Sequence, residues 1–276
     1  MDAVDSLVPE IHKLLASKEA SLPALPKVVS ELMQMLDDPA VDLREVTRVV
    51  KLDPALSAKV VGVASSALYS RSPVTDIGRA VRNLGTASLR SMAITLAASL
   101  LAKGKPHVKE LRAKYWQHCL ATGIGTRLLA RHVGERDVEQ LFLAGLLFNV
   151  GKLAVLHLLN RSDVAAPVVE EAVDRVHAEA AAFLFHRWSL PKLCVRAVRA
   201  HRWGLDGIEE GQERAVGVIV LASEAARAFG MGPPHDPPLV LAEHPAVKLI
   251  GLNEVHLTDL ELELEDLVRD LETYLG

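Results

Sequence analysis

Ala144-Gly145-Leu146-Leu147-Phe148-Asn149-Val150-Gly151-Lys152-Leu153 is apolar on both sides and is interrupted by one amide and a Gly-Lys pair. A buried amide without partners costs about 1–3 kcal/mol, so a polar side chain inside a core helix requires a reason. The local reading is that Asn149 caps or bends a helix near Gly151. The rest of the chain is helical in composition. Half of its residues are hydrophobic and only 4% aromatic, so the core is built mainly from Leu, Val and Ala. Ala and Leu favour helix, and the N-terminal half lacks the alternation of a half-buried strand. The expectation is an all-α fold. With 276 residues, one large domain or two small ones can bury a core.

Charge and cysteine usage narrow the partners. A net charge of -4 carries no polybasic signature, so neither nucleic acid nor an anionic membrane is expected as a partner. Cys119 and Cys194 have no CxxC spacing, which fits a reducing cytosol better than a disulfide framework. No apolar run approaches the roughly 20 residues that span a bilayer, the longest lying around Met92 to Ala102, so no membrane insertion is expected. The acidic N-terminus, with Asp2 and Asp5, lacks the basic region of a signal peptide. The expected location is the cytoplasm.

From the N-terminus, Leu7, Ile11, Leu14 and Leu15 mark a short amphipathic helix. Pro26 opens a second, with Val28, Val29, Leu32 and Leu36 on one face. Asp42 and Asp53-Pro54 are start signals for two more, and Val41 can pack on Val46 as a staple. Thr75 is the expected cap of a helix that Gly85 ends, and Thr86 opens another with Leu89, Met92, Ala93 and Leu96 inward. Beyond a turn at Gly104 to Pro106, helices are expected from Tyr115 to His132, over Asp137 to Leu159, from Val176 to Trp188, from Pro191 to Trp203 and from Val216 to Gly230. Met231 to Pro238 reads as a loop. Leu260, Leu264, Leu267, Leu271 and Tyr274 mark a final amphipathic helix, which docks on its own domain or forms a dimer seam.

These spacings would suit many helical folds, but the words are more specific. Leu22-Pro-Ala-Leu-Pro, Lys51-Leu-Asp-Pro-Ala-Leu, Ala64-Ser-Ser-Ala-Leu-Tyr69 and Ala80-Val-Arg-Asn-Leu-Gly85 resemble, in order and spacing, the HDOD family, the HD-related output domains of bacterial signalling proteins. Ser65 stands where that family usually has Asn. The resemblance implies a multi-helix HDOD fold over 22–230, with an N-terminal helical half over 22–103 and an HD-like half over 107–230. Residues 1–21 form an N-terminal helix, and 231–276 a loop and C-terminal amphipathic helix. It also gives the opening stretch a sharper meaning. Metal-dependent phosphohydrolases of the HD superfamily typically read Leu-Leu-His-Asp-Ile-Gly-Lys there, and this chain has Phe148 for the His and Asn149 for the Asp.

HD enzymes hold one or two divalent metals, which polarise a phosphoryl oxygen and activate a bound water. By resemblance, His118 matches the first ligand, Phe148-Asn149 the signature pair, His177 the next His, His201-Arg202 a His-His pair and Ser223 the distal Asp. Three imidazoles survive while both carboxylates and two imidazoles have gone, and Arg202 adds a repelling charge. No cofactor is therefore expected and no residue is assigned as catalytic. Two readings stay open for the histidines: one zinc on His118, His177 and His201, or hydrogen-bonded packing, which Glu179 or Glu224, each close to a matched position, could upset. Lys152 and Arg202 could contact a phosphate, or could be solvated surface charges. The leading functional expectation is a non-catalytic signalling module that binds an unidentified partner protein. The alternatives are a residual phosphohydrolase on a nucleotide or cyclic dinucleotide, and a receptor for a nucleotide second messenger without turnover.

Overall fold

A computed structural model describes residues 3–17, 22–70, 72–103, 108–159, 164–203, 213–233 and 239–275, with the side chains of 201–203 excepted. The fold is all-α, and no strand occurs among the described residues. The helices are α1 (Ala3–Ala16), α2 (Lys27–Leu36), α3 (Leu43–Leu52), α4 (Pro54–Ser65), α5 (Ile77–Ala102) and α6 (Lys109–His132). They continue with α7 (Val138–Phe148), α8 (Val150–Leu158), α9 (Ala166–Arg187), α10 (Lys192–Trp203), α11 (Glu213–Ala228), α12 (Pro245–Ile250) and α13 (Glu254–Leu275). They form two compact units. The larger comprises Met1–Ala24 and Leu100–Leu262, the smaller Leu25–Ser99 and Glu263–Gly276, so the divisions fall inside α5 and α13.

In the smaller unit the start signals act as the sequence implies. Asp42 accepts the Arg44 N–H at 2.8 Å and Asp53 the Leu56 N–H at 2.9 Å, each satisfying a donor the first helical turn cannot. At α5 the cap is Asp76, not Thr75. Its carboxylate accepts from Arg79 N–H at 2.7 Å and Gly78 N–H at 3.2 Å, two orphan donors where a single cap usually meets one. Those donors hold the Asp76 carboxyl below its usual range. Gly85 breaks α5 with φ 70°, a left-handed conformation that costs glycine little. The segment after it buries Leu89, Met92, Ala93 and Leu96, as the spacing implies. Ser65 uses its hydroxyl to accept the Val74 N–H at 2.9 Å and to donate to the Val61 carbonyl at 2.8 Å.

The last turns of α13 belong to this smaller unit. Their buried positions are Leu264, Val268, Leu271 and Leu275, one residue round the helix from the expected Leu267 and Tyr274. Tyr274 packs against Gly62, where a Cβ would come within 2.6 Å of its Cδ1, so that close approach needs the bare backbone of glycine. Lys59 Nζ donates to the Leu275 carbonyl at 2.8 Å, and Asp270 accepts the Ala67 N–H at 2.6 Å.

In the larger unit, α1 packs on α9 through an apolar face of Val4, Leu7, Ile11 and Leu15. Polar bridges Asp5–Arg175 at 3.1 Å and His12–Glu179 at 3.0 Å flank that seam. Two helices begin earlier than expected. α6 starts at Lys109, where Arg112 is buried and donates to the carbonyls of Leu101 at 3.0 Å and Leu156 at 2.5 Å. α9 starts at Ala166, with Pro167 in its first turn supplying the start signal the sequence reading passed over.

The expectation that nothing approaches a bilayer-spanning length is corrected. Ile77–Ala102 and Val138–Leu158 are long and apolar enough to cross a membrane, and 72% and 94% of their most apolar windows are buried within the protein. Spanning length is a matter of length and mean hydropathy, which neither the kink at Gly85 nor isolated polar residues such as Asn149 and Lys152 bring below the threshold. Both cysteines are free and buried, and burial pushes each thiol up to about 12.

Candidate functional site

The site lies in the larger unit, where α6, α7, α8 and α11 pack together. Asn149 stands at the break between α7 and α8 with φ -103° and ψ 2°. It therefore bends the chain, as the local reading has it, but makes no side-chain cap. Its amide turns inward and is wholly buried. Nδ2 donates to Ser223 Oγ on α11 at 3.2 Å and lies 3.4 Å from Thr122 Oγ1 on α6. Asn149 Oδ1 has no hydrogen-bond partner among the described residues.

His118, one helical turn before Thr122, completes the cluster. Its Nε2 lies 3.2 Å from both the carbonyl and the hydroxyl oxygen of Ser223. The Nε2–H tautomer suits these oxygens, because it leaves the buried, unpartnered Nδ1 as a bare lone pair rather than an orphaned donor. Gly232 closes over the ring: a Cβ there would stand 3.0 Å from its Cγ and Cδ2. Burial, with help from the Lys152 ammonium, lowers the His118 imidazolium to about 3, so the ring is neutral at pH 7.

His177 sits on α9, beside α8. Its Nδ1 is 2.9 Å from the Asp174 carbonyl, and burial, then Lys152, lowers it to about 4. Lys152 is not the solvated surface charge the sequence allowed. Its side chain is 9% exposed, and its Nζ pairs with Asp174 Oδ1 at 2.6 Å and lies 5.2 Å from the centre of the Tyr115 ring. Burial surrounds α8 on all sides, so an ammonium there needs an anion, and Asp174 supplies it. Phe148 is buried. Glu179 and Glu224 turn to other partners, His12 at 3.0 Å and Arg227 at 3.7 Å.

The structure thus joins His118, Asn149 and Ser223 by hydrogen bonds and sets the charge of Lys152 where it acts on both His118 and His177. His201 and Arg202 belong to α10, but their side chains lie outside the described residues. Thr122, Asp174 and Tyr115 are participants that sequence reasoning missed. Thr122 stands four residues after His118 and Asp174 three before His177, so helical spacing from a matched residue was the available signal.

A divalent cation asks for anionic oxygens and imidazole lone pairs. Among the described residues no three His, Cys, Asp or Glu side chains converge. The inward polar groups, Asn149 and Ser223, are neutral and joined through Asn149 Nδ2, His118 Nε2 faces Ser223, and the Lys152 ammonium adds positive charge. These residues do not fit a metal centre. Ser223 ties His118 to Asn149, so Ser223→Ala is expected to lower the stability of the larger unit by about 1–3 kcal/mol in chemical denaturation. A loss within error of zero would show that the cluster is not coupled.

A family model for the HDOD domain matches residues 22–203, well over half of the chain. The chain belongs to the HDOD family. The match includes His118, Phe148, Asn149 and His177 and ends before Ser223. A curated relative, an uncharacterised protein of Treponema pallidum (strain Nichols), is 22% identical over 236 residues, which make up 80% of this chain and 45% of the relative. The HDOD chain thus spans about half the length of the curated relative it matches. Among solved structures, a candidate metal-dependent phosphohydrolase of Shewanella amazonensis superposes with a TM-score of 0.80 at 21% identity, covering 100% of both chains. An HDOD domain protein of unknown function from Geobacter sulfurreducens gives 0.75 at 22% identity, covering 98% of this chain and 99% of the other. A candidate signal-transduction protein of Marinobacter aquaeolei gives 0.69 at 21% identity, covering 100% of this chain and 66% of the other. At such identities the likeness establishes a shared HDOD fold.

Proposed function

We propose that this HDOD chain is a cytoplasmic bacterial signalling module that works without turnover, by binding a partner protein. The observation that supports this reading is the inward face at the α7–α8 break. There Phe148 and Asn149 replace an imidazole and a carboxylate, and the amide is spent on Ser223 and Thr122. A nucleophilic water needs a cation or a base to activate it, and His118, neutral and facing Ser223, is committed elsewhere. A receptor for nucleotide phosphates has less support, because the ammonium of Lys152 already holds Asp174 at 2.6 Å.

The test pairs an activity assay with partner capture. Purified full-length protein, supplied with manganese or iron, is expected to show no phosphoester hydrolysis above that of His118→Ala. Cross-linking in cells is expected to trap a reproducible protein partner. Stoichiometric metal with turnover abolished in His118→Ala would replace this reading by a residual phosphohydrolase on a nucleotide or cyclic dinucleotide. Calorimetric binding of a nucleotide, lost in Lys152→Ala, would favour the receptor instead.

A further inference from the structure

The smaller unit carries a cleft between α2 and α3, enclosing about 720 Å³, that the site above does not use. Met35, Val41 and Val49 give it an apolar floor, and Glu31, Asp38, Asp42 and Glu45 give it an acidic rim. No Lys or Arg is among the residues lining it. Asp38 and Asp42 accept backbone N–H groups of Ala40 and Arg44, both at 2.8 Å, which fixes those carboxylates in place without neutralising them. The cations paired with this rim, Lys27 at 3.7 Å from Glu31 and Arg44 at 3.9 Å from Asp42, are each 92% exposed, and such surface pairs hold little. Leu52 extends the apolar surface. It lies on α3 at helical spacing from Glu45 and Val49, and it is 76% exposed.

We propose that this cleft receives a basic amphipathic helix of a partner protein. The proposal rests on the partner-binding reading above and supplies the partner's chemistry. A helix laid along the groove would place apolar residues at i, i+4 and i+7 on Met35, Val49 and Leu52, and flanking Lys or Arg residues against the four carboxylates. Opposite charge at the rim steers encounter and discriminates partners, while the apolar floor holds the complex. Nucleic acid and anionic membranes meet repulsion at the same rim.

The test uses the full chain and a labelled peptide of about 14 residues made of Leu and Lys at helical spacing, with its Leu/Glu counterpart as control. Anisotropy is expected to show salt-sensitive binding of the Leu/Lys peptide alone. Glu31→Lys with Glu45→Lys, neither of which caps a helix, should weaken it by about ten-fold or more. Glu261→Lys with Glu263→Lys, the same change of net charge on the exposed face of α13, should leave it unaltered. Circular dichroism checks that both variants are folded. No binding, or equal loss in both variants, overturns the groove. So does a dimer in sedimentation that Glu31→Lys with Glu45→Lys dissolves, because a second copy would then fill it. If the peptide fails while cross-linking still traps a partner, the groove is wrong and the signalling reading stands; if no partner is trapped, the signalling reading itself fails.

Discussion

Gly151→Ala is expected to lower the melting temperature by about 10 °C, through a loss of about 3 kcal/mol or more. A Cβ at Gly151 would overlap the carbonyl oxygen of His177 and stand 2.8 Å from its carbonyl carbon and 2.9 Å from Ala181 Cβ. Backbone cannot rotate away as a side-chain tip can, so α8 and α9 would have to separate. That movement would also strain the Lys152–Asp174 pair, which spans the same two helices. The contrasting substitution is Gly78→Ala in the smaller unit. There a Cβ would meet only exposed side-chain atoms, the nearest at 3.4 Å, and helix propensity favours alanine. Thermal melts of both variants decide the matter. A Gly151→Ala protein melting within 2 °C of the parent would mean that the two helices are not held as closely as described.

Acid should weaken the larger unit well before its carboxylates are protonated. His118 and His177 are held neutral by burial, at about 3 and about 4, against an ordinary histidine value of 6.5. Below 6.5 the unfolded chain takes up protons on both rings while the folded one does not, so stability falls as pH falls. The loss begins near pH 6.5, runs with both histidines to about 4, and continues with His118 to about 3. Each ring contributes roughly 1–2 kcal/mol per pH unit, which amounts to several kcal/mol in all. The diagnostic window is pH 5 to 6.5, above the ordinary carboxylate range. Denaturation midpoints across it should drop for the parent and flatten in His118→Gln with His177→Gln. A parent profile that is already flat there would refute the assignment of buried neutral rings.

Much of the fold was legible because caps and periodicity are local. Asp42, Asp53 and Gly85 each act within one turn of their own position, and the structure places them as the sequence implies. Thr75 and Asp76 show the limit, since both can cap and only the final backbone path selects between them. The candidate site divides the same way. Phe148 and Asn149 stand out by their spacing within a motif, whereas Thr122 and Asp174 carry no mark in the sequence and matter only because another helix crosses at their turn. Lys152 carries no local mark of its surroundings either. Its burial depends on α9, and its counterion lies 22 residues along the chain, a pairing no local pattern encodes.

The two sealed thiols, Cys119 and Cys194, have a practical consequence. Both belong to the larger unit, and a protonated, enclosed sulfur is inert towards alkylating reagents. Each therefore serves as a native clock. The rate at which iodoacetamide tags Cys119, on the same helix as His118, counts how often that unit breathes open. A partner that clamps the unit would slow the ticking without touching either sulfur.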